Sequence, residues 1–241
     1  MTMVFGHRGF SGNYPENTML AFRETERLGA AGIETDVQLT RDGVPVLIHD
    51  ETLDRTTNGT GSVRDYTLSE LQKLDTRWKF GNSVPFQTIP TLEEFLDFMR
   101  GNQLIANIEL KTGVYEYPGI EETVVEMVER YGLVDRIWYS SFNHFSVLRA
   151  KMLSPQAKCG LLMDCWLVGA GKYGRSLGMQ TINGCTSYFK PEVVEEIHEA
   201  GLEALVWTPN QSADLLRLTA AGVDVLITNY PDRGLEAVGQ S

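Results

Sequence analysis

The chain has few cysteines and histidines, no basic cluster and no long apolar run, and each scarcity excludes something. Its three cysteines, Cys159, Cys165 and Cys185, are odd in number and lack CxxC spacing. They read as packing residues in a reducing compartment, which excludes a disulfide framework and a zinc site. No apolar stretch approaches the ~20 residues of a membrane span, so stable membrane insertion is not expected. Met1 leads straight into a strand-like run, leaving no room for a signal peptide. A cytoplasmic protein is expected, provided that no residues precede Met1. Of 241 residues, 21 are basic and 32 acidic, giving a formal net charge of -11. Without a basic track to follow a phosphate backbone, nucleic acid is not an expected partner. An anionic small molecule would need local positive charge, from a metal or from a few placed Arg and Lys.

What is present centres on residues 32–50, GIETDVQLTRDGVPVLIHD. Glu34 and Asp36 sit two apart in a strand-like run, so both point to one face while Ile33, Thr35 and Val37 point to the other. Asp42-Gly43 is a tight-turn signal, and the run Val44 to Ile48 then folds back to end on His49-Asp50. His49 is thereby expected to return beside Glu34. The plainer alternative is a wet edge strand with a structural histidine at its end.

Elsewhere the pattern alternates. Strand Val4–His7 is followed by a helix over 18–29 and by the central hairpin, and then by an insertion over 51–88. That insertion holds loop chemistry at Asp54 to Gly61 and aromatic residues Trp78, Phe80 and Phe86. From residue 91 onward, strands are expected at 104–110, 134–140, 158–163, 181–184, 203–207 and 223–228, each followed by a helical stretch. Eight strand-then-helix units in this length predict an α/β fold, a (β/α)8 TIM barrel, as one catalytic domain over 1–241. An open doubly wound sheet fits less well, because no Gly-rich phosphate loop follows the first strand.

Active sites of this fold lie at the C-terminal ends of the strands. There the sequence places His7 and Arg8, then Glu34 and Asp36, then Glu109 and Lys111, and farther round Ser140, Trp207, Asn210 and Asn229. Glu34, Asp36 and Glu109 make an all-oxygen triad suited to one divalent cation, Mg²⁺ or Ca²⁺, or alternatively Mn²⁺. A simple Glu109–Lys111 salt bridge is the competing reading. His7 and His49 can serve as general acid and base near neutrality. His144 and His198, at the start and in the middle of helices, read as capping or surface residues. Arg8 and Lys111 can clamp a phosphate. Trp207 can pack against the carbon face of a small polyol.

These residues also carry a resemblance. The blocks His7-Arg8-Gly9, Glu16-Asn17-Thr18, Glu34-Thr35-Asp36-Val37, Thr40-x-Asp42-Gly43, His49-Asp50 and Arg55-Thr56-Thr57 occur in that order. Ile108-Glu109-Leu110-Lys111, Ser140-Ser141-Phe142-Asn143 and Val206-Trp207-Thr208 with Asn210 follow. Together they resemble the glycerophosphodiester phosphodiesterase family, in its bacterial, cytoplasmic type, over nearly the whole chain. The resemblance implies metal-dependent cleavage of deacylated phospholipids to glycerol 3-phosphate and an alcohol. It implies His7 and His49 as the acid/base pair, Glu34, Asp36 and Glu109 as metal ligands, and Arg8 and Lys111 at the phosphate. Glu16 and Asn17 are expected to support these groups from behind. One departure is visible: Pro209 stands where the family more often has a β-branched residue.

Two rivals remain open. A lysophospholipase D-type enzyme would use the same site with an apolar groove, which Trp78, Phe80 and Phe86 could supply. A non-catalytic phosphodiester-binding protein could discard both histidines, and here both are kept.

Overall fold

The computed structural model describes residues 1–77 and 80–240, so Trp78 lies outside the described residues. The strands are β1 (Met3–His7), β2 (Gly32–Leu39), β3 (Pro45–Leu47), β4 (Ile105–Leu110), β5 (Ile137–Ser141), β6 (Lys158–Met163), β7 (Thr181–Cys185), β8 (Glu203–Trp207) and β9 (Val225–Thr228). All but β3 are parallel neighbours in the order β1-β9-β8-β7-β6-β5-β4-β2, and β1 pairs with β2 to close the ring. The helices are α1 (Met19–Arg27), α2 (Leu68–Leu71), α3 (Leu92–Arg100), α4 (Ile120–Arg130), α5 (His144–Leu153), α6 (Ala170–Ser176), α7 (Pro191–Glu199), α8 (Ser212–Ala220) and α9 (Pro231–Ala237). The result is the expected (β/α)8 barrel.

Local chemistry sets the helix starts. Thr18 accepts a hydrogen bond from the Ala21 amide to open α1, and Thr91 with Glu94 forms a capping box on α3. Alternation along each strand then separates two cores. Ile33 and Val37 of β2 pack outward in the large cluster that holds Phe22 of α1 and Phe95 and Leu96 of α3. Phe5, Trp138, Leu205, Val225 and Ile227 form a second cluster that fills the barrel interior below the site. Because Phe5 and His7 are two apart on β1, a plug at the level of Phe5 means a polar ring above it.

Phe95 shows how strongly the outer layer holds α3. It is fully buried, edge-on to Phe22 with ring centroids 4.9 Å apart. Phe95→Ala is expected to cost about 3–5 kcal/mol, read as a lower urea midpoint.

Three expectations need adjustment. The fifth strand begins at Ile137 rather than 134, because residues 134–136 form a turn in which the Arg136 and Ile137 amides both donate to the Leu133 carbonyl. Cys159 is buried as a packing residue, but Cys165 is exposed and Cys185 only half-buried, and all three are free thiols. The insertion packs its Leu53, Val63 and Leu71 against Val46, Ile48 and Ile89 at its edges in a separate small core. Phe86 is left outside that core and exposed.

Candidate active site

The C-terminal end of the barrel opens into a cavity of about 220 Å³ lined by His7, Arg8, Glu34, His49, Asn107, Glu109, Ser140, Phe142, Leu162, Trp207, Thr208 and Ile227. Most of the residues expected from the strand ends therefore converge here. Asp36, Lys111, Glu16 and Asn17 do not line the cavity, yet each bonds to or faces a residue at the site.

Glu34, Asp36 and Glu109 are buried, and each offers one carboxylate oxygen within 4.8 Å of the others'. The parallel register explains it, since Asp36 pairs directly with Glu109 across β2 and β4. Burial and the neighbouring Asp36 charge raise Glu34 well above the usual carboxylate range, and the same causes push Glu109 up to about 6. Asp36 itself is lowered: burial opposes ionisation, but His49, Arg8, Lys111 and the Asn17 amide outweigh it. Asn17 donates to Asp36 Oδ2 at 2.8 Å and accepts from the Thr35 hydroxyl at 2.7 Å. Asp36 Oδ1 is buried with no hydrogen-bond partner among the described residues. Three converging carboxylates with an open oxygen fit a hard divalent cation, and the donor set contains none of the nitrogen or sulfur that zinc favours. Lys111 Nζ lies 3.1 Å from Glu109 Oε1, so the salt bridge weighed from sequence exists beside the triad.

His7 Nδ1 is 2.6 Å from Asn229 Oδ1, while Nε2 is 3.8 Å from Glu34 Oε2. An amide oxygen only accepts, so with this amide orientation Nδ1 carries the proton and Nε2 has its lone pair free. Burial, then the Arg8 charge, lowers the His7 pKa to about 3, so the ring is neutral at pH 7.

His49 arrives by a different route. β3 pairs with β2 only as far as Leu47 opposite Val37, and the Ile48 amide then donates to the Asp36 carbonyl. Gln38 gathers the next turn, its amide nitrogen donating to the carbonyls of Ile48, His49 and Asp50 at 2.9, 3.1 and 2.8 Å. Tyr117 in turn donates to Gln38 Oε1. The hairpin does return His49 to the cavity that Glu34 lines, although the carboxylates it acts on electrostatically are Asp36, Glu109 and the adjacent Asp50. His49 Nδ1 is 2.7 Å from Asp50 Oδ1.

Arg8 follows β1 with φ 54°, and its amide donates to Glu34 Oε2 at 3.1 Å. Its guanidinium bonds Glu16 at 2.8 Å and lies 3.5 Å from Asp36 Oδ2. Trp207 ends β8 and meets Phe142 edge-on at 5.8 Å. The other histidines stay outside: half-buried His144 bonds Tyr173 and the Leu162 carbonyl, and His198, in the last turn of α7, pairs with Asp224. Sequence reasoning assigned no role to Asn229, Gln38, Asp50 or Arg55. Position at a strand end marked Asn229, and the His49-Asp50 and Arg55-Thr56-Thr57 blocks marked two others.

Residues 7–233 match the model of the glycerophosphoryl diester phosphodiesterase family. A glycerophosphodiester phosphodiesterase of Caldanaerobacter subterraneus is 44% identical over 96% of this chain and 95% of its own. One of Bacillus altitudinis is 39% identical over 98% of each chain. The solved structure of an Oleispira antarctica phosphodiesterase, in complex with the product sn-glycerol-3-phosphate, superposes with a TM-score of 0.91 at 32% identity, covering 99% of this chain and 97% of that one. The chain belongs to the glycerophosphoryl diester phosphodiesterase family.

Proposed function

We propose that this chain, a glycerophosphodiester phosphodiesterase by family, hydrolyses glycerophosphodiesters with a divalent cation held by Glu34, Asp36 and Glu109. The observation that carries the reading is the buried three-carboxylate cluster at the mouth of the barrel, flanked by two imidazoles whose Nδ1 atoms are tied back. Mg²⁺ or Ca²⁺, with Mn²⁺ as a substitute, would draw charge from the phosphate and lower the proton affinity of the attacking oxygen. His7 and His49 each move one proton, one taking it from the nucleophile and one giving it to the departing alcohol oxygen. Arg8 and Lys111 hold the phosphate, and Trp207 packs against the glycerol carbons. Glu16 holds Arg8, and Asn17 holds Asp36. The catalytic domain is the whole of residues 1–241, acting on a small molecule in the cytoplasm. A net charge of -11 disfavours nucleic acid. Among the described residues no helix is long and apolar enough to cross a membrane.

The test is release of glycerol 3-phosphate from a panel of glycerophosphodiesters with and without added cation. Head groups of choline, ethanolamine and glycerol are expected to be tolerated, because the alcohol projects toward solvent. Exposed Phe142, Trp166 and Val168 on loops after β5 and β6, with exposed Phe145 in the first turn of α5, favour a second reading, with lysophospholipids as substrates. Faster turnover of lysophospholipids in the same panel would select it.

Trp207 supplies a sharper test. Trp207→Ala is expected to raise KM for glycerophosphodiesters about 3–10-fold, the worth of one aromatic packing contact. KM for bis(p-nitrophenyl) phosphate, which lacks glycerol, changes less. Equal losses on both substrates would make Trp207 a scaffold residue.

Cation binding also acquires a pH dependence with a definite sign. Glu34 and Glu109 titrate above the ordinary carboxylate range, Glu109 at about 6. The folded apo protein therefore keeps a proton that the unfolded chain releases, and loses stability as pH rises through about 6. A cation must displace that proton, so its affinity rises over the same interval. The gain in Tm from Mg²⁺ is expected to be larger at pH 7.5 than at pH 5.5; an equal gain at both would detach the cation from these carboxylates.

A further inference from the structure

We propose that Arg55 is a positioning residue that sets the orientation of His49 and Arg8 together. Its guanidinium lies between two carboxylates and donates four hydrogen bonds. Nε and one terminal nitrogen bond Asp50 Oδ2 and Oδ1 at 2.6 and 2.8 Å. The two terminal nitrogens bond Glu16 Oε2 and Oε1 at 2.6 and 2.8 Å. Asp50 then holds His49 Nδ1 at 2.7 Å, and Glu16 holds the Arg8 guanidinium at 2.8 Å. One side chain from the insertion thus connects an imidazole on one side of the site with a phosphate-holding guanidinium on the other. The row Arg8, Glu16, Arg55, Asp50 alternates in sign and sums to zero.

Stability alone does not account for this arrangement. The Arg55 side chain is 39% exposed, so solvent screens much of what its ion pairs would add to stability. What the fork does supply is geometry. A carboxylate clamped at both oxygens cannot rotate, so the ring that donates to Asp50 Oδ1 keeps Nδ1 protonated and Nε2 directed into the cavity. A lysine brings the same charge as a single point and cannot hold two carboxylates in one plane. The inference rests on the reading that His49 moves a proton, and it adds that Arg55 acts through His49 on turnover and through Arg8 on binding.

The test is a double-mutant cycle on the full chain with Mg²⁺ and a glycerophosphodiester. Arg55→Gln is expected to lower kcat 10–100-fold, the usual cost of losing a group that orients a functional side chain. KM should rise several-fold through Arg8. In a His49→Ala background the same substitution is expected to change kcat less than twofold while the KM effect persists. Arg55→Lys retains the charge, and with it the fold, and is expected to lose as much kcat as Arg55→Gln. In the intact protein ¹⁵N spectra should show His49 Nδ1 protonated whatever the charge of the ring, and in the Lys variant a proton shared between Nδ1 and Nε2 once the ring is neutral. Normal turnover of His49→Ala itself would remove the earlier reading. If His49→Ala is impaired, an equal loss of kcat from Arg55→Gln in both backgrounds, or full kcat in Arg55→Lys, overturns the positioning role alone.

Discussion

Excess chelator is expected to abolish turnover, and Mg²⁺, Mn²⁺ or Ca²⁺ to restore it, because among the described residues no group neutralises the buried carboxylates in full. Their oxygens lie within 4.8 Å of one another, and in the interior such repulsion is weakly screened. Lys111, through Glu109, and Arg8, through Asp36, answer only part of the charge. Glu109→Gln keeps the shape and removes one charge. It should weaken cation binding by at least an order of magnitude, as loss of one ligand charge does, with the far-UV spectrum unchanged. The amide also deprives Lys111 of its partner, so some loss of phosphate binding should accompany it. Turnover that survives chelation, with no metal detected in the protein, would refute the triad as a cation site.

Alanine in place of His7 or His49 is expected to lower kcat on the order of 10²–10⁴-fold while KM changes far less, the signature of general acid–base groups. The two rings are not equivalent. His7 is backed by the Asn229 amide and kept neutral, its pKa lowered to about 3 by burial and by Arg8, whereas His49 is backed by the Asp50 carboxylate. A neutral ring with a free Nε2 is arranged to accept a proton. A ring backed by a carboxylate is arranged to carry a positive charge and release a proton. His49→Ala should therefore recover on a substrate whose leaving group needs no proton, such as p-nitrophenolate, and His7→Ala should not. Recovery of His7→Ala instead would exchange the roles. His144→Ala and His198→Ala serve as controls, since both rings lie outside the cavity and should leave kcat within twofold.

The sequence alone determined whatever depends on neighbours a few residues apart. A period of two put Glu34 and Asp36 on one face and Ile33 and Val37 on the other, and the buried cluster around Phe95 bears this out. Asp42-Gly43 announced the reversal that yields β3, and eight repeats of strand and helix announced the barrel. The barrel in turn announced which strand ends would meet, so the convergence of the three carboxylates with His7 was legible in the sequence, and the hairpin made the return of His49 legible. Tertiary structure decided what each ring and carboxylate does once there. Asn229, which holds His7, is 222 residues away in sequence and reaches it only because β9 closes against β1. The aim of His49 depends on Gln38 collecting three carbonyls, which no propensity encodes. Arg55 stands in a loop-rich insertion, yet its fork is filled by carboxylates from two different segments. Periodicity and turn chemistry act along the chain and can be read from it. Tautomers, ion pairs and raised carboxylate pKa values arise from distances across the barrel, and those exist only after the ring of strands has closed.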